Sequence, residues 1–361
     1  DRAWILDGAA VRVSIIRFDD SSQNIKYLDG ELVQEINPDL THNSDLTKAK
    51  RLLENFELSF EGNKKSGPFE LTAVQANSML EKNENNKDVI KLWVNGLDIT
   101  RRPRDMWIID FGELSIENAK FYQEPFEYVA NVVRPNREEK RETRQQELWW
   151  QFARPRPNMR EAIEPLNRYI VTTRVAKHRF FVFLDKRTVP DSRLYVIARG
   201  DDYFFGVLHS KVHEVWSLAT SSRHGDGSEG GRPTYNNTTC FETFPFPWPP
   251  GQEPGEAENP RVAAIAQWAR ALVAWRDNWL NPPREGMYAG LGTAYDKLVQ
   301  NRTLTNLYNG LEYYRATTKA GKIFDRAEFD KVTRKSVGRD DIQQLDDIHT
   351  ALDTAVLDAY G

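Results

Sequence analysis

The sequence contains little cysteine and no long hydrophobic run. Cys240 is the single cysteine among 361 residues, which excludes an internal disulfide and any zinc site built from several cysteines. No apolar stretch approaches the roughly 18 residues that a membrane-spanning helix needs. A secretory signal peptide is also missing, so we expect no membrane partner and a reducing, cytoplasmic setting.

Self-contained catalytic motifs are missing as well. There is no Gly-x-Ser-x-Gly nucleophile motif. Residues 225–230 match the glycine spacing of a dinucleotide-binding loop, but Arg232-Pro233 follows instead of a helix, which indicates a flexible loop. His209 and His213 have helical spacing but no evident third metal ligand, and we interpret them as core or surface histidines.

Charge is distributed unevenly along the chain. The whole sequence has 49 basic and 53 acidic side chains, a formal net charge of −4. Residues 151–240 carry 14 basic and nine acidic side chains, whereas the segments before and after them are net acidic. A basic block between acidic segments can bind a polyanion. A chance excess within a mixed surface is the alternative interpretation.

Hydrophobic patterning predicts strands and helices in an α+β order. The N-terminal strands are expected within residues 9–18 and near 26–27, and two strands cannot form a domain alone, so we expect the rest of their sheet upstream. In the basic block we predict strands over residues 169–173, 179–184, 193–198 and 203–208. The main predicted helices are residues 43–56, 158–166, 212–218, 260–280 and 340–360.

Cationic side chains concentrate at the start of the basic block. Arginine and lysine neutralise phosphates, and arginine can also pair with guanine in the major groove. On a strand, Arg174 and His178 would share one face, and Lys177 and Arg179 the other. Surface charges flanking a hydrophobic sheet are the structural alternative.

Several stretches resemble the target recognition domain of MmeI-like DNA methyltransferases. Residues 149–160 read Trp-Trp-Gln-Phe-Ala-Arg-Pro-Arg-Pro-Asn-Met-Arg, and residues 202–210 read Asp-Tyr-Phe-Phe-Gly-Val-Leu-His-Ser. Residues 238–247 look like the end of that domain, and residues 302–309 resemble the final helical domain of the same family. Residues 6–14 look like a late strand of the family's methyltransferase domain.

The resemblance implies an α+β fold in three parts. These are the end of a methyltransferase sheet with a connector (residues 1–130), a mixed α/β target recognition domain (131–247) and a C-terminal helical domain (248–361). The proline-rich residues 244–250 mark the last boundary, because proline interrupts both helices and central strands.

The resemblance also implies a function in restriction–modification or phage defence in bacteria. The family transfers a methyl group from S-adenosylmethionine to the N6 of an adenine in a short DNA sequence. Its Phe-x-Gly-x-Gly and Asn-Pro-Pro-Tyr motifs are missing here, and residues 281–284 (Asn-Pro-Pro-Arg) look like a helix end. We therefore expect a fragment that binds double-stranded DNA, needs an upstream methyltransferase domain, binds no cofactor itself and does not methylate alone.

The expected DNA contacts are the cations of the basic block. They are Arg154, Arg156, Arg160, Arg174, Lys177, His178, Arg179, Lys211 and Arg223. Two alternatives stay open: a non-catalytic specificity or scaffold subunit acting in trans, and a protein-interaction module whose basic block is only surface.

Overall fold

Two four-stranded sheets lie at the centre of the part of the chain that the structure, a computed structural model, describes. That part comprises residues 2–6, 9–18, 20, 25–37, 40–42, 45–224, 231–285, 290, 292–319 and 321–361. The strands are β1 (Arg2–Leu6), β2 (Ala9–Val13), β3 (Lys26–Leu28), β4 (Glu31–Val33), β5 (Ser59–Glu61), β6 (Glu70–Leu71), β7 (Ile90–Val94), β8 (Trp107–Ile109), β9 (Arg168–Thr173), β10 (Phe181–Asp185), β11 (Thr188–Pro190), β12 (Leu194–Ile197), β13 (Ser222–His224) and β14 (Arg232–Thr234).

Helices surround both sheets and form most of the C-terminal third. They are α1 (Ala73–Lys82), α2 (Gly96–Thr100), α3 (Ile116–Ala119), α4 (Gln123–Tyr128), α5 (Arg134–Glu138), α6 (Thr143–Glu147), α7 (Pro157–Ile163), α8 (Asp202–His209), α9 (Lys211–Thr220), α10 (Pro260–Leu280), α11 (Thr293–Gln300), α12 (Leu304–Lys319), α13 (Arg326–Thr333) and α14 (Arg339–Tyr360). The predicted α+β class is confirmed. None of the described helices is long and apolar enough to cross a membrane.

The two sheets are interleaved along the chain. The first has the strand order β10-β9-β12-β5 and is antiparallel throughout. The second has the order β11-β7-β8-β6, in which β11 runs parallel to β7. Strand pairs β12–β5 and β11–β7 therefore join residues on both sides of position 130, where we expected a domain boundary. The division into domains stays a prediction.

Each sheet has its own hydrophobic core. The larger core joins the first sheet to α8, α10, α12 and α14, and Phe205, Ile265 and Leu352 are fully buried in it. The smaller core lies against the second sheet and includes Trp149 and Trp150. Their rings meet edge to face, with centroids 5.8 Å apart.

The long C-terminal helices begin where the sequence predicts them. At the start of α10, the Asn259 side chain accepts hydrogen bonds from the backbone N–H groups of Arg261 and Val262, and Pro260 occupies the first turn, where its missing N–H costs nothing. The helix ends at Leu280, directly before the Asn-Pro-Pro-Arg segment, so the interpretation of that segment as a helix end is confirmed.

Two predicted elements are wrong. Residues 203–208 form helix α8 rather than a strand, and the Asp201 carboxylate caps its start by accepting from Phe204 N–H at 2.8 Å. The expected helix at 43–56 is replaced, in its described part, by single 3-10 turns at Leu46–Lys48 and Leu53–Asn55.

Contacts to a distant segment explain the second error. The buried Asn55 side chain donates to the backbone carbonyls of Phe241, Glu242 and Phe244, and Leu52 N–H donates to Glu242 O at 2.7 Å. In a continuous helix, Leu52 N–H would instead donate to the carbonyl four residues earlier, and the partners at residues 241–244 are not evident from the local sequence.

Candidate nucleic-acid interface

Arg156 and Arg174 meet at the carboxylate of Glu61. Glu61 ends β5, Arg174 follows the last residue of β9, and Arg156 precedes α7. Arg174 Nη1 donates to Glu61 Oε1 at 3.2 Å, while Arg156 donates to the other carboxylate oxygen and to the Gly62 carbonyl. Two guanidinium groups share one carboxylate, so this point of the surface keeps a net positive charge.

Further exposed cations lie beside this pair. Lys64 and Arg154 exchange backbone hydrogen bonds of 3.0 and 3.1 Å, and the Arg193 carbonyl accepts from Arg174 N–H at 2.7 Å. No described residue forms a hydrogen bond or ion pair with the side chains of Lys64 or Arg154. We define the basic strip as Lys64, Arg154, Arg156, Arg174 and Arg193.

Sequence reasoning missed Lys64 and Arg193. Lys64 lies in the segment assigned to the methyltransferase tail and connector, and Arg193 was absorbed into a predicted strand. The Lys64-Lys65 pair beside Gly62 and Gly67 was the available signal, but its position beside Arg154 follows from the backbone bridge between Lys64 and Arg154, which the sequence does not indicate.

Backbone packing fixes the strip at the junction of the two sheets. A Cβ on Gly62 would lie 2.2 Å from the Asp191 carbonyl oxygen, so only glycine permits this close approach. Arg156 itself has left-handed backbone angles, φ 57° and ψ 59°, immediately before Pro157. Such a conformation costs a non-glycine residue about 1–2 kcal/mol, and it often accompanies functional positions.

Arg160 contributes to the structure beneath the strip. Its guanidinium pairs with the buried Asp110 carboxylate at 2.8 Å and donates to Asn63 Oδ1 at 2.8 Å and Pro155 O at 2.6 Å. These contacts connect α7 to the end of β8. The positive charge of Arg160 is therefore compensated by a carboxylate inside the fold.

Arg179 lies in the core, contrary to its expected surface position. It is only 9% exposed and donates to Thr172 Oγ1 and to the Thr173 carbonyl. Its guanidinium carbon lies 4.9 Å from the centre of the Tyr235 ring, and burial lowers its pKa to about 10. The predicted alternation over residues 174–179 is wrong, because β9 ends at Thr173 and β10 begins at Phe181.

Lys177, His178 and Lys211 lie on another surface. They line a groove of about 850 Å³ beside α9, α12 and α14, here called the helix groove, and no residue of the basic strip lines it. Lys177 pairs with Glu312 at 2.7 Å and Lys211 with Glu214 at 2.7 Å. His178 contacts Asn309 Oδ1 at 2.8 Å, and burial lowers its pKa. This groove is of mixed charge.

Arg223 lies on the hairpin formed by β13 and β14, directly beside the basic strip. Val175 forms a bridge with Thr234, and Tyr235 N–H donates to the Arg174 carbonyl at 2.8 Å. Arg223 is exposed, and its Nη1 is 3.4 Å from the Gly231 carbonyl oxygen. The predicted flexible loop, with its glycine pattern at 225–230, falls outside the described residues.

The histidine pair occupies the core rather than a metal site. His209 ends α8 and His213 lies in α9, and both are buried. His209 Nε2 accepts from Arg276 at 2.7 Å, and His213 Nδ1 lies 2.9 Å from the Leu208 carbonyl oxygen. Within the described residues, no three histidine, cysteine or acidic side chains are grouped so that they could hold a metal ion.

Sequence comparison assigns the chain to a family. The family described as "MmeI, target recognition domain" matches residues 44–248, more than half of the chain. The chain therefore belongs to the MmeI target recognition domain family. The match begins well before residue 131, and so includes β5, β7 and Lys64 with the basic block. No curated protein matches the chain.

Structural comparison gives the same result for the fold. One similar solved structure is that of the type IIL restriction-modification enzyme MmeI in complex with DNA, with a TM-score of 0.60 and 18% sequence identity. The match covers 92% of this chain and 36% of that chain. The chain thus spans about a third of the length of the MmeI structure.

Proposed function

We propose that this chain is the DNA-sequence-recognition part of a longer site-specific N6-adenine methyltransferase of a restriction-modification or phage-defence system. Membership of the target recognition domain family supports this proposal. The observation that carries it is the basic strip, where five cations meet on one surface with Glu61 and Asp191 as their acidic partners among the described residues.

The strip has the chemistry of a phosphate-binding surface. Lys64 and Arg154 offer charges without an acidic partner, while Glu61 orients Arg156 and Arg174 and leaves further N–H donors on each guanidinium. Orienting these side chains before binding reduces the conformational entropy lost on binding. We propose that the strip follows the sugar–phosphate backbone of duplex DNA.

The methylation step belongs to the longer protein in this proposal. S-adenosylmethionine would supply the methyl group there, in the bacterial cytoplasm. A glycine-rich cofactor loop needs a strand before it and a helix after it, because the helix N-terminus faces the ligand. The glycine pattern here joins strand β13 to strand β14, so these residues do not fit the cofactor and we assign no chemical step to them.

Salt-dependent duplex binding tests the proposal. If the five cations of the strip contact phosphates, the logarithm of the binding constant should fall with the logarithm of salt concentration with a slope of about −4 or steeper. Replacing Arg174 by Ala should weaken binding to all duplexes several-fold and reduce that slope by about one.

Arg261 provides a matched control for Arg174. Its side chain is 46% exposed and pairs with Asp358 at 3.1 Å on α10, compared with 47% and 3.2 Å for Arg174 and Glu61. Arg261→Ala should leave both affinity and slope unchanged. Equal losses in the two variants, or binding that does not respond to salt, would contradict the proposal and favour a protein-interaction module.

A further inference from the structure

We infer that the β13–β14 hairpin enters the major groove and reads base edges through Arg223, His224 and Arg232, while the basic strip holds phosphates. This inference rests on the proposed function, because it assigns phosphate contacts and base contacts to different residues of the same surface. Neither the family assignment nor the fold comparison says which side chains read bases.

The strands of the hairpin carry exposed side chains, whereas its root, Thr234 and Tyr235, is buried. Arg223, His224 and Arg232 are exposed, whereas Thr234 is 7% and Tyr235 is 1% exposed. The Tyr235 hydroxyl lies 3.1 Å from His213 Nε2 in the core. The root of the hairpin is thus fixed beside Arg174, which places the exposed side chains of its two strands next to the strip.

Strand register distributes the three side chains over both faces of the ribbon. Arg223 pairs with Pro233, and His224 pairs with Arg232. Because side chains alternate along a strand and directly paired residues share a face, Arg223 lies on one face and His224 with Arg232 on the other. A ribbon with donors on both faces can contact base edges on either side as it lies in a groove.

The hairpin is narrower than the sheet that carries part of the strip. The major groove is about 12 Å wide and admits a two-stranded ribbon, whose strands are about 4.8 Å apart. Arg174 and Arg193 of the strip flank β9 and β12 of the four-stranded sheet β10-β9-β12-β5, whose backbone alone spans about 14 Å. The paired strands Ser222–His224 and Arg232–Thr234 therefore fit the width of the groove, whereas the four-stranded sheet exceeds it.

Three of the four arginines of the strip have a carboxylate partner, whereas the arginines of the hairpin have none among the described residues. Arg156 and Arg174 share the Glu61 carboxylate, and Arg193 Nε lies 4.0 Å from Asp191. In the described part of the chain, Arg223 contacts only a backbone carbonyl, and neither His224 nor Arg232 has a carboxylate partner. The donor fork of Arg223 is thus available for the O6 and N7 atoms of guanine.

Selection from a randomised duplex pool with the full chain tests this assignment. Arg223→Ala should lose at least fivefold of the base preference at one or two positions of the wild-type motif and keep the others. Arg223→Gln should shift that position from guanine towards adenine, since glutamine pairs with adenine N6 and N7. A structural role for Arg223 predicts no such change of base.

Arg174→Ala serves as the matched phosphate variant in the same selection. It should weaken binding evenly and leave the motif unchanged. Circular dichroism melting of each variant checks folding, and the exposed hairpin positions should leave the melting temperature unaltered.

Two results would overturn the assignment, and they distinguish failure of the hairpin assignment from failure of the proposed function. In the first, wild type selects a motif and the Arg223→Ala/Arg232→Ala double variant selects the same motif. This result refutes base reading by the hairpin and leaves the proposed sequence recognition intact. A wild-type chain that binds duplex DNA but selects no motif contradicts the proposed sequence recognition, and the hairpin assignment fails with it.

Discussion

Burial decides which cations of the basic block can reach a ligand. Arg154 and Arg179 are both arginines in that block, yet Arg154 is exposed and Arg179 is buried beside Tyr235. Arg160 lies between these cases, because the buried Asp110 compensates its charge. Counting charges along the sequence therefore overestimates the number of cations that a ligand can reach. The exposure of each cation and its acidic neighbours in the fold decide which of them are accessible.

Buried histidines make the stability of the fold depend on pH. Burial lowers the pKa of His213 and of His349 to about 3, whereas an unfolded chain has histidines near their ordinary value of about 6.5. Unfolding therefore takes up protons between these pH values. The contribution of these histidines to the free energy of unfolding is complete above about pH 6.5 and decreases as the pH falls. Each histidine contributes about 1.4 kcal/mol of loss between pH 7.5 and 5.5.

His349→Gln measures the contribution of one histidine to this pH dependence. Glutamine can still accept a hydrogen bond from the Tyr308 hydroxyl, which lies 3.0 Å from His349 Nε2. Urea unfolding at pH 7.5 and 5.5 should show a stability loss in the variant that is smaller by about 1.4 kcal/mol than in wild type. An identical loss in both proteins would mean that His349 does not remain neutral in the fold.

Helix α8 shows why an apolar run is hard to assign from sequence. Residues 203–208 are all buried, so they lack the polar positions that distinguish a helical period of 3.6 from a strand period of 2. The Asp201 cap and the close packing of Gly206 decide in favour of the helix. A Cβ on Gly206 would lie 2.6 Å from Ile265 Cγ2 and 3.2 Å from the Ile265 carbonyl oxygen.

Gly206→Ala should therefore destabilise the fold by forcing α8 away from α10. We expect a loss of about 1–3 kcal/mol in the free energy of unfolding, measured by urea denaturation. Gly96→Ala is the control, because its nearest neighbour lies at an ordinary 3.6 Å and alanine favours helix α2. If the two substitutions have the same effect, the close approach of α8 and α10 is not a constraint.

Elements with local signals were predictable, and those defined by distant contacts were not. The cap and proline at Asn259-Pro260 predict the start of α10, and the strands at 169–173 and 193–198 coincide with β9 and β12. The 43–56 segment was wrong because Asn55 bonds to residues nearly 190 positions away. The basic strip shows the same division: Arg154, Arg156 and Arg174 were predicted from charge and stay predicted DNA contacts. Lys64 and Arg193 join them only through backbone bonds to Arg154 and Arg174.

At the scale of the whole molecule, the basic strip depends on both sheets. Gly62 and Asp191 bring the end of β5 against the segment between β11 and β12, so residues from before and after position 130 form one junction. The helices α8, α10 and α14 pack behind the first sheet and share its core. The surface thus combines segments that are far apart in sequence, in agreement with a family match that begins at residue 44.

The chain as a whole carries a net charge of −4, so the proposed DNA binding depends on a local basic surface rather than on general attraction. A local basic strip on a net acidic protein predicts strongly salt-dependent binding through a small number of phosphates.

Selection of duplexes from a randomised pool by the wild-type chain, at two salt concentrations, tests the central claim most directly. We predict a short enriched motif and an affinity that falls steeply as salt rises. Absence of duplex binding at low salt would contradict the assignment of this chain to DNA recognition.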